Sequence, residues 1–449
     1  MPISSSKQET RLVISCVIGN ALEWYDFIIY GYFAPIIGQL FFPAGDRYSQ
    51  LMCSFGALAA GFIARPLGAI LFGHIGDKSS RLLVLMLSIY VMSIPTTLIG
   101  CLPTYQQIGL LAPIMLTFLR IMQGLAIGGE FTGSMVFLIE HANKNKRGFL
   151  GSWATCSSIV GIIIGSSVVA TIMHVFTPEQ VRLFGWRIAF MFSMFGCAIG
   201  IYVRRHLQDD TKEFLINKSK KSSSSFLPIK ELFNKYLDKI LIIFGLDALT
   251  GIGFFTLVIF LPSYFREYLA IPDLVIQHLN TTNMVIFASM TLFGGWISDK
   301  IGYKKALFYP CILFIIFSYP VFTLFQYDRM ILIFIGQTIL ICFMGLFYGV
   351  IPITLFEIFP LEVRCSGISI AHNISMACMG GTAPLIATYI IKQTDHNLLS
   401  PSYLLIFGAT LSLISLVFLN KTSQDANILY ETIERIEEIA INKTESSES

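Results

Sequence analysis

The sequence predicts an all-α integral membrane protein of twelve transmembrane helices arranged as two six-helix bundles. Three observations predict it. Of 449 residues, 54% are hydrophobic and only 13% charged, with a mean hydropathy of +0.69, more apolar side chain than a water-soluble fold could cover. The apolar residues gather into about twelve long runs, and two short loops of closely similar composition recur in the two halves. Bilayer hydrocarbon demands roughly 20 apolar residues per spanning helix with every backbone polar group paired inside the segment, so these runs mean helices and not a barrel.

The runs lie at roughly 12–40, 51–73, 82–102, 108–140, 149–175 and 186–203, then at 238–265, 275–297, 305–325, 329–355, 366–391 and 402–420. Residues 1–203 are therefore expected to form an N-terminal six-helix bundle and 238–421 a C-terminal one. The intervening 204–237 is lysine-rich and holds the run Ser222 to Ser225, the composition of a cytoplasmic linker. Residues 422–449 read as a solvated cytoplasmic tail; Leu429, Ile433, Ile436 and Ala440 keep helical spacing over too few turns for a coiled coil. The first apolar run lacks a small-x-small exit, so it is expected to stay as helix one.

Cations fall in alternate loops. Lys7, Arg11, Lys78, Arg81, Lys144, Lys146, Arg147, the linker lysines, Lys300, Lys304, Lys305 and Arg364 share one side, which the positive-inside rule makes the cytoplasm, with both termini. The formal net charge of +3 is spread thinly and argues against a nucleic-acid partner. The nine cysteines stand singly, without metal or redox spacing, and read as small packing residues; neither a metal nor another cofactor is expected. No nucleotide loop, nucleophile elbow or H-E-x-x-H stretch supports an ATP-driven pump or any enzyme.

After the second run comes "GHIGDKSSR" (Gly73 to Arg81), and after the eighth "GGWISDKIGYKK" (Gly294 to Lys305). Each places glycine, Asp-Lys and further cations on a short cytoplasmic loop. Asp77 or Asp299 beside a helix end can accept backbone N–H bonds or pair with a cation, and so latch one arrangement of the bundles. Gly73, Asp77, Arg81, Asp299, Lys300 and Arg364 are the expected gating residues. Duplicated six-helix bundles with a site at their interface are an architecture of secondary transporters.

Ionisable residues within spanning helices cost several kcal/mol unless they face a cavity or a partner. On helix one, Asn20, Glu23, Phe27 and Tyr30 share a face, with Asp26 flanking it. Arg120, Gln123 and Glu130 lie on helix four, Asp247 on helix seven and His372 on helix eleven. Glu23 or Asp26 reads as a proton-carrying group and Arg120 as the cation for a carboxylate substrate, although a permanent ion pair fits the same residues. Arg65, directly before Pro66, reads as structural. Gly161 with Gly165, and "GGTAP" (Gly380 to Pro384), mark places where helices approach closely or break.

"GNALEWYDF", "RPLGAILFGHIGDKSSR", "RIMQGLAIGGE", "FGWRIAF" and "EIFPLEVRCSGIS" together resemble the metabolite:proton symporters of the major facilitator superfamily, over about 12–420. The resemblance implies the major facilitator fold, a bacterial inner membrane, and uptake of a small carboxylate-bearing metabolite driven by protons; a monomer is expected. It matches the family loop at Gly73, Gly76 and Asp77, departs at Ser80 and Leu82, and matches the helix-four motif at Arg120, Gln123, Gly124 and Glu130. "LPSYF" and "HNIS" are similar to proline/betaine members, "FEIFPLEVRCSG" to citrate members. An exporter or antiporter on the same fold, or a non-transporting sensor, stays open.

Overall fold

The structure is a computed structural model that describes residues 6–43, 47–78, 81–199, 202, 229–327, 329–361, 363–395 and 397–419. Among these residues twelve long helices follow one another: α1 Ser6–Phe41, α2 Arg47–Lys78, α3 Arg81–Cys101, α4 Leu111–His141, α5 Arg147–Val175 and α6 Pro178–Ile199, then α7 Leu232–Arg266, α8 Asp273–Ile301, α9 Tyr303–Phe325, α10 Met330–Ile358, α11 Arg364–Gln393 and α12 Pro401–Leu419. Each predicted run falls on one of them. Eight are long and apolar enough to cross a membrane, and large side chains such as Ile63, Leu67, Ile114, Phe118, Phe195 and Phe407 stand exposed on the outside, as a lipid-facing surface requires. Most of the linker and all of the tail lie outside the described residues.

Local chemistry sets the helix ends. Gly109, at φ +59, turns the chain from the short helix Tyr105–Ile108 into α4, which therefore starts after the predicted 108. Gly302, at φ +85, ends α8 and lets α9 begin at once. Thr177 and Gln180 cap the start of α6 reciprocally. Arg187 on α6 donates to the carbonyls of Gly100 (2.8 Å) and Leu102 (2.7 Å), satisfying the end of α3.

Glycines let backbones touch. Gly61 and Gly68 of α2 lie against the Arg120 and Leu125 carbonyls of α4, and Gly124 returns the contact on Gly61. In the second half Gly349 of α10 lies on Thr291 of α8, and Gly294 of α8 on Leu346 of α10, the same device repeated. Gly161 of α5 lies against Ala21 of α1, while the Ile28 side chain covers Gly165. Across the halves, α2 packs on α11, and α5 on α8 and α10.

Two helices of the second half leave α geometry at matching places. Phe255–Phe260 in α7 and Met376–Gly380 in α11 are π turns, and Gly380 touches both Gly251 and Phe255. The predicted break at "GGTAP" is present: α11 resumes at Ala383 with Pro384 in its first turn.

Gly124→Val places a branched side chain into the Gly61 backbone. We expect a loss on the order of 1–3 kcal/mol, read as a lower midpoint of thermal unfolding in detergent and reduced yield of monodisperse protein.

Candidate functional site

The first-half charges converge where α1, α2, α3 and α4 meet. Asp26 is buried, and its Oδ2 accepts from the Thr96 hydroxyl on α3 and from Gln123 Nε2 on α4 (3.3 Å); Gln123 also donates to Thr96 Oγ1 at 2.6 Å. Asp26 Oδ1 makes no well-formed hydrogen bond, the Ser193 hydroxyl of α6 being the group next to the carboxylate. Arg120 lies in coulombic range of Asp26, with its guanidinium carbon 3.6 Å from the centre of the Tyr30 ring, while Nε and Nη2 find no partner. Tyr30 is held in turn by the Ser54 carbonyl at 2.9 Å. Buried polar atoms left unpaired are costly, so an acceptor and two donors left over at one place point to a group that comes and goes.

Beside this cluster runs a second charge pairing. Glu23 lies in coulombic range of Arg65, both buried. Glu23, Phe27, Phe62, Arg65, Arg120 and Gln123 line a cavity of about 20 Å³, room for little more than one water. One carboxylate and two guanidiniums thus line one small space, with Asp26 bonded to Gln123 beside it, and the formal charges of the four groups cancel.

That space borders the other half. Arg65 Nε donates to Asn373 Oδ1 on α11 at 3.2 Å, and Asn373 Nδ2 and Ser369 Oγ both reach the Gly128 carbonyl of α4, at 3.0 and 2.6 Å. Trp24 of α1 meets Phe254 of α7 edge-on, ring centres 5.0 Å apart, and Phe62 meets Phe255 at 6.5 Å. Where α8 ends and α5 begins, Asp299 on the last turn of α8 accepts from the first backbone amides of α5, Gly148 N at 2.7 Å and Phe149 N at 2.8 Å. Gly148 and Gly295 bring the two backbones together there, and Arg147 pairs with Glu357 of α10 at 3.4 Å. The carboxylate completes the positive end of α5, so the two halves are joined at this end.

Residues 12–235 match the sugar (and other) transporter family and residues 243–429 the major facilitator superfamily. A glycine betaine/proline/ectoine/pipecolic acid transporter of Dickeya dadantii is 31% identical over 92% of this chain and 83% of its own length. A proline/betaine transporter of Escherichia coli K12 is likewise 31% identical, over 92% and 84%. The chain belongs to the major facilitator superfamily. A solved structure of the superfamily's proton:xylose symporter XylE, bound to 6-bromo-6-deoxy-D-glucose, superposes with a TM-score of 0.76 over 93% of this chain and 96% of that one, at 14% identity. The protein is therefore a multi-pass membrane transporter of that superfamily and not an enzyme.

On the major facilitator frame the predicted residues sort as follows. Glu23, Asp26, Tyr30, Arg120 and Gln123 come together. Asp247 and His372 meet in the second half, 2.7 Å apart, on helices α7 and α11. The helix-one stripe does not act as one surface, because Asn20 turns to α5, bonding Ser157 Oγ at 2.8 Å, while Asp26 turns to α3 and α4. Lys300 is exposed near the Trp296 ring, and Arg364 donates to the Phe359 carbonyl at 3.1 Å and covers Phe356. Of Glu130, Gly73, Asp77 and Arg81 only the helical backbone is described. Sequence reasoning missed Thr96, Asn373 and Ser369, neutral residues with no signal of their own, and took Arg65 as structural although it lines the cavity.

Replacing Asp299 with alanine removes two charge-assisted bonds at a partly exposed site, together on the order of 1–3 kcal/mol. Cys156, buried where α5 meets Ala288 of α8, reports the loss. Its alkylation by a membrane-impermeant maleimide should speed up roughly 5- to 100-fold in D299A.

Proposed function

We propose that the protein is a proton-coupled symporter that imports a small zwitterion bearing a carboxylate, of the proline/betaine kind, by alternating access. It works in a bacterial inner membrane with both termini cytoplasmic, as a monomer. The observation that carries this reading is the cavity between Glu23, Arg65, Arg120 and Gln123, with unpaired donors on buried Arg120 beside the unpaired Asp26 oxygen. A substrate carboxylate supplies acceptors for Arg120, and a proton on Asp26 supplies a donor.

Charge balance favours the zwitterion over citrate. Glu23 and Asp26 cancel Arg65 and Arg120, so a tricarboxylate would bring charge that the site has nothing to neutralise. The faces of Phe27 and Phe62 beside Glu23 suit an ammonium group, and a quaternary one best, since it has no N–H to satisfy. The relatives' names agree with that chemistry. The cavity is too small for proline as it stands, in keeping with a closed state that opens to admit substrate. Asp299 at the start of α5 supports a gating role for the second loop, with Lys300 and Arg364 flanking it, and by the duplication Asp77 of the first loop serves likewise.

The test uses proteoliposomes holding an internal pH dye, offered proline, glycine betaine, α-ketoglutarate and citrate in turn. Acidification of the lumen by proline or betaine, absent with the others, is the expected outcome. Acidification by citrate alone refutes the charge-balance argument, saturable binding without accumulation makes the protein a sensor, and alkalinisation makes it an antiporter. In the same assay Arg120→Ala should lower uptake at least a hundredfold while leaving folded protein in the membrane.

A further inference from the structure

Two more ionisable side chains are buried together in the second half. His372 Nδ1 of α11 and Asp247 Oδ2 of α7 are 2.7 Å apart, with 6% of the histidine side chain and none of the aspartate reached by solvent. They lie 125 positions apart in the chain, so neither helix alone shows the pairing. Asp247 Oδ1 has no hydrogen-bond partner. A lone charge at this depth would cost several kcal/mol, whereas an imidazolium beside a carboxylate is neutral as a pair and needs one proton to be so.

The pair sits against the moving boundary. The His372 ring stacks on Phe131 of α4, in the opposite half, with ring centres 4.7 Å apart and planes 26° from parallel. The next residue, Asn373, carries the cross-half bonds to Arg65 and to the Gly128 carbonyl. Tyr348 of α10 lies in coulombic range of Asp247, Glu23 and Arg65, which makes Glu23, Arg65 and the tyrosine the ionisable surroundings of the pair. Just beyond it, α7 and α11 both change to π turns that touch through Gly251, Gly380 and Phe255, so the backbone can shift there without breaking a regular helix.

We propose that the Asp247–His372 pair is a proton-carrying element of the second half, gated by Phe131. The inference rests on the symport reading above. While α4 covers the ring, the proton shared by the pair has no water to leave to. When the cytoplasmic side opens and Phe131 withdraws, the imidazolium gives its proton to cytoplasmic water and leaves a neutral imidazole beside the carboxylate. Opening of the other side restores a proton from outside. No bond other than N–H and O–H forms or breaks.

The experiment compares two readouts on the full chain in proteoliposomes, with whichever compound of the panel the wild type moves. His372→Gln should keep exchange of labelled for unlabelled compound within about threefold of wild type and lose at least tenfold of the lumen acidification per molecule carried. Phe131→Leu leaves the hydrogen bond untouched and should move the pH midpoint of uptake by half a unit or more, which keeps the proposal testable where His372→Gln fails to fold or loses both activities. Wild-type acidification in H372Q, or an unchanged pH profile in F131L, overturns the pair's role and leaves symport standing. A wild type that moves compound without protons overturns both.

Discussion

The cost of an ionisable side chain in hydrocarbon organises this protein. Each buried charge among the described residues has to find an opposite charge, an aromatic face or a cavity, and a single helix cannot supply one. Asp26 is met by Thr96 and Gln123 from two other helices, Arg120 by the Tyr30 ring, Arg65 by Glu23 and Asn373, and Asp247 by His372. These solutions require the helices at particular rotations, so charge pairing and helix packing determine one another. The glycines of α2, α4, α8 and α10 make it possible by letting backbones come close enough for short side chains to meet.

The pairings are incomplete in an informative way. Within each half the polar groups are held by several bonds, but oxygens of Asp26 and Asp247 and nitrogens of Arg120 are left over. A fold that only needed stability would gain by replacing such groups with apolar side chains of similar volume. Retaining them fits a site whose missing partners arrive and leave. Across the halves, among the described residues, Asn373 and Ser369 bond to α2 and α4, Asp299 caps the start of α5, and Cys156 and Ser158 farther along α5 reach Ala288 and Tyr348.

Much of this was legible in the sequence. Hydropathy located the twelve helices, since an apolar run of spanning length has few alternatives, and the misplaced start of α4 turned on a single left-handed glycine, Gly109. The charges of α1 and α4 stood out because charges there are rare. Their partners did not: Thr96 is one of many hydroxyls in spanning helices, and Asn373 gains meaning only from facing Arg65. Asp247 and His372 were each visible alone, while their meeting depends on how α7 packs against α11. The capping of α5 by Asp299 was readable as a possibility from the duplicated loop, but the helix end it would serve was not. Arg65 reads as structural from Pro66 beside it; the structure adds that it lines the cavity and pairs with Glu23 and Asn373.

In the proposed alternating-access cycle the described arrangement, closed where Asp299 meets the start of α5, is one of two states, and the buried charges are reached by opening it. The most direct measurement is the distance between spin labels on Lys144, before α5, and Lys300, at the end of α8, both exposed, in a cysteine-free background and in lipid nanodiscs. The account predicts a short distance that gains a second, longer population, with their ratio moved by pH and by the transported compound. A single short distance under every condition would contradict it.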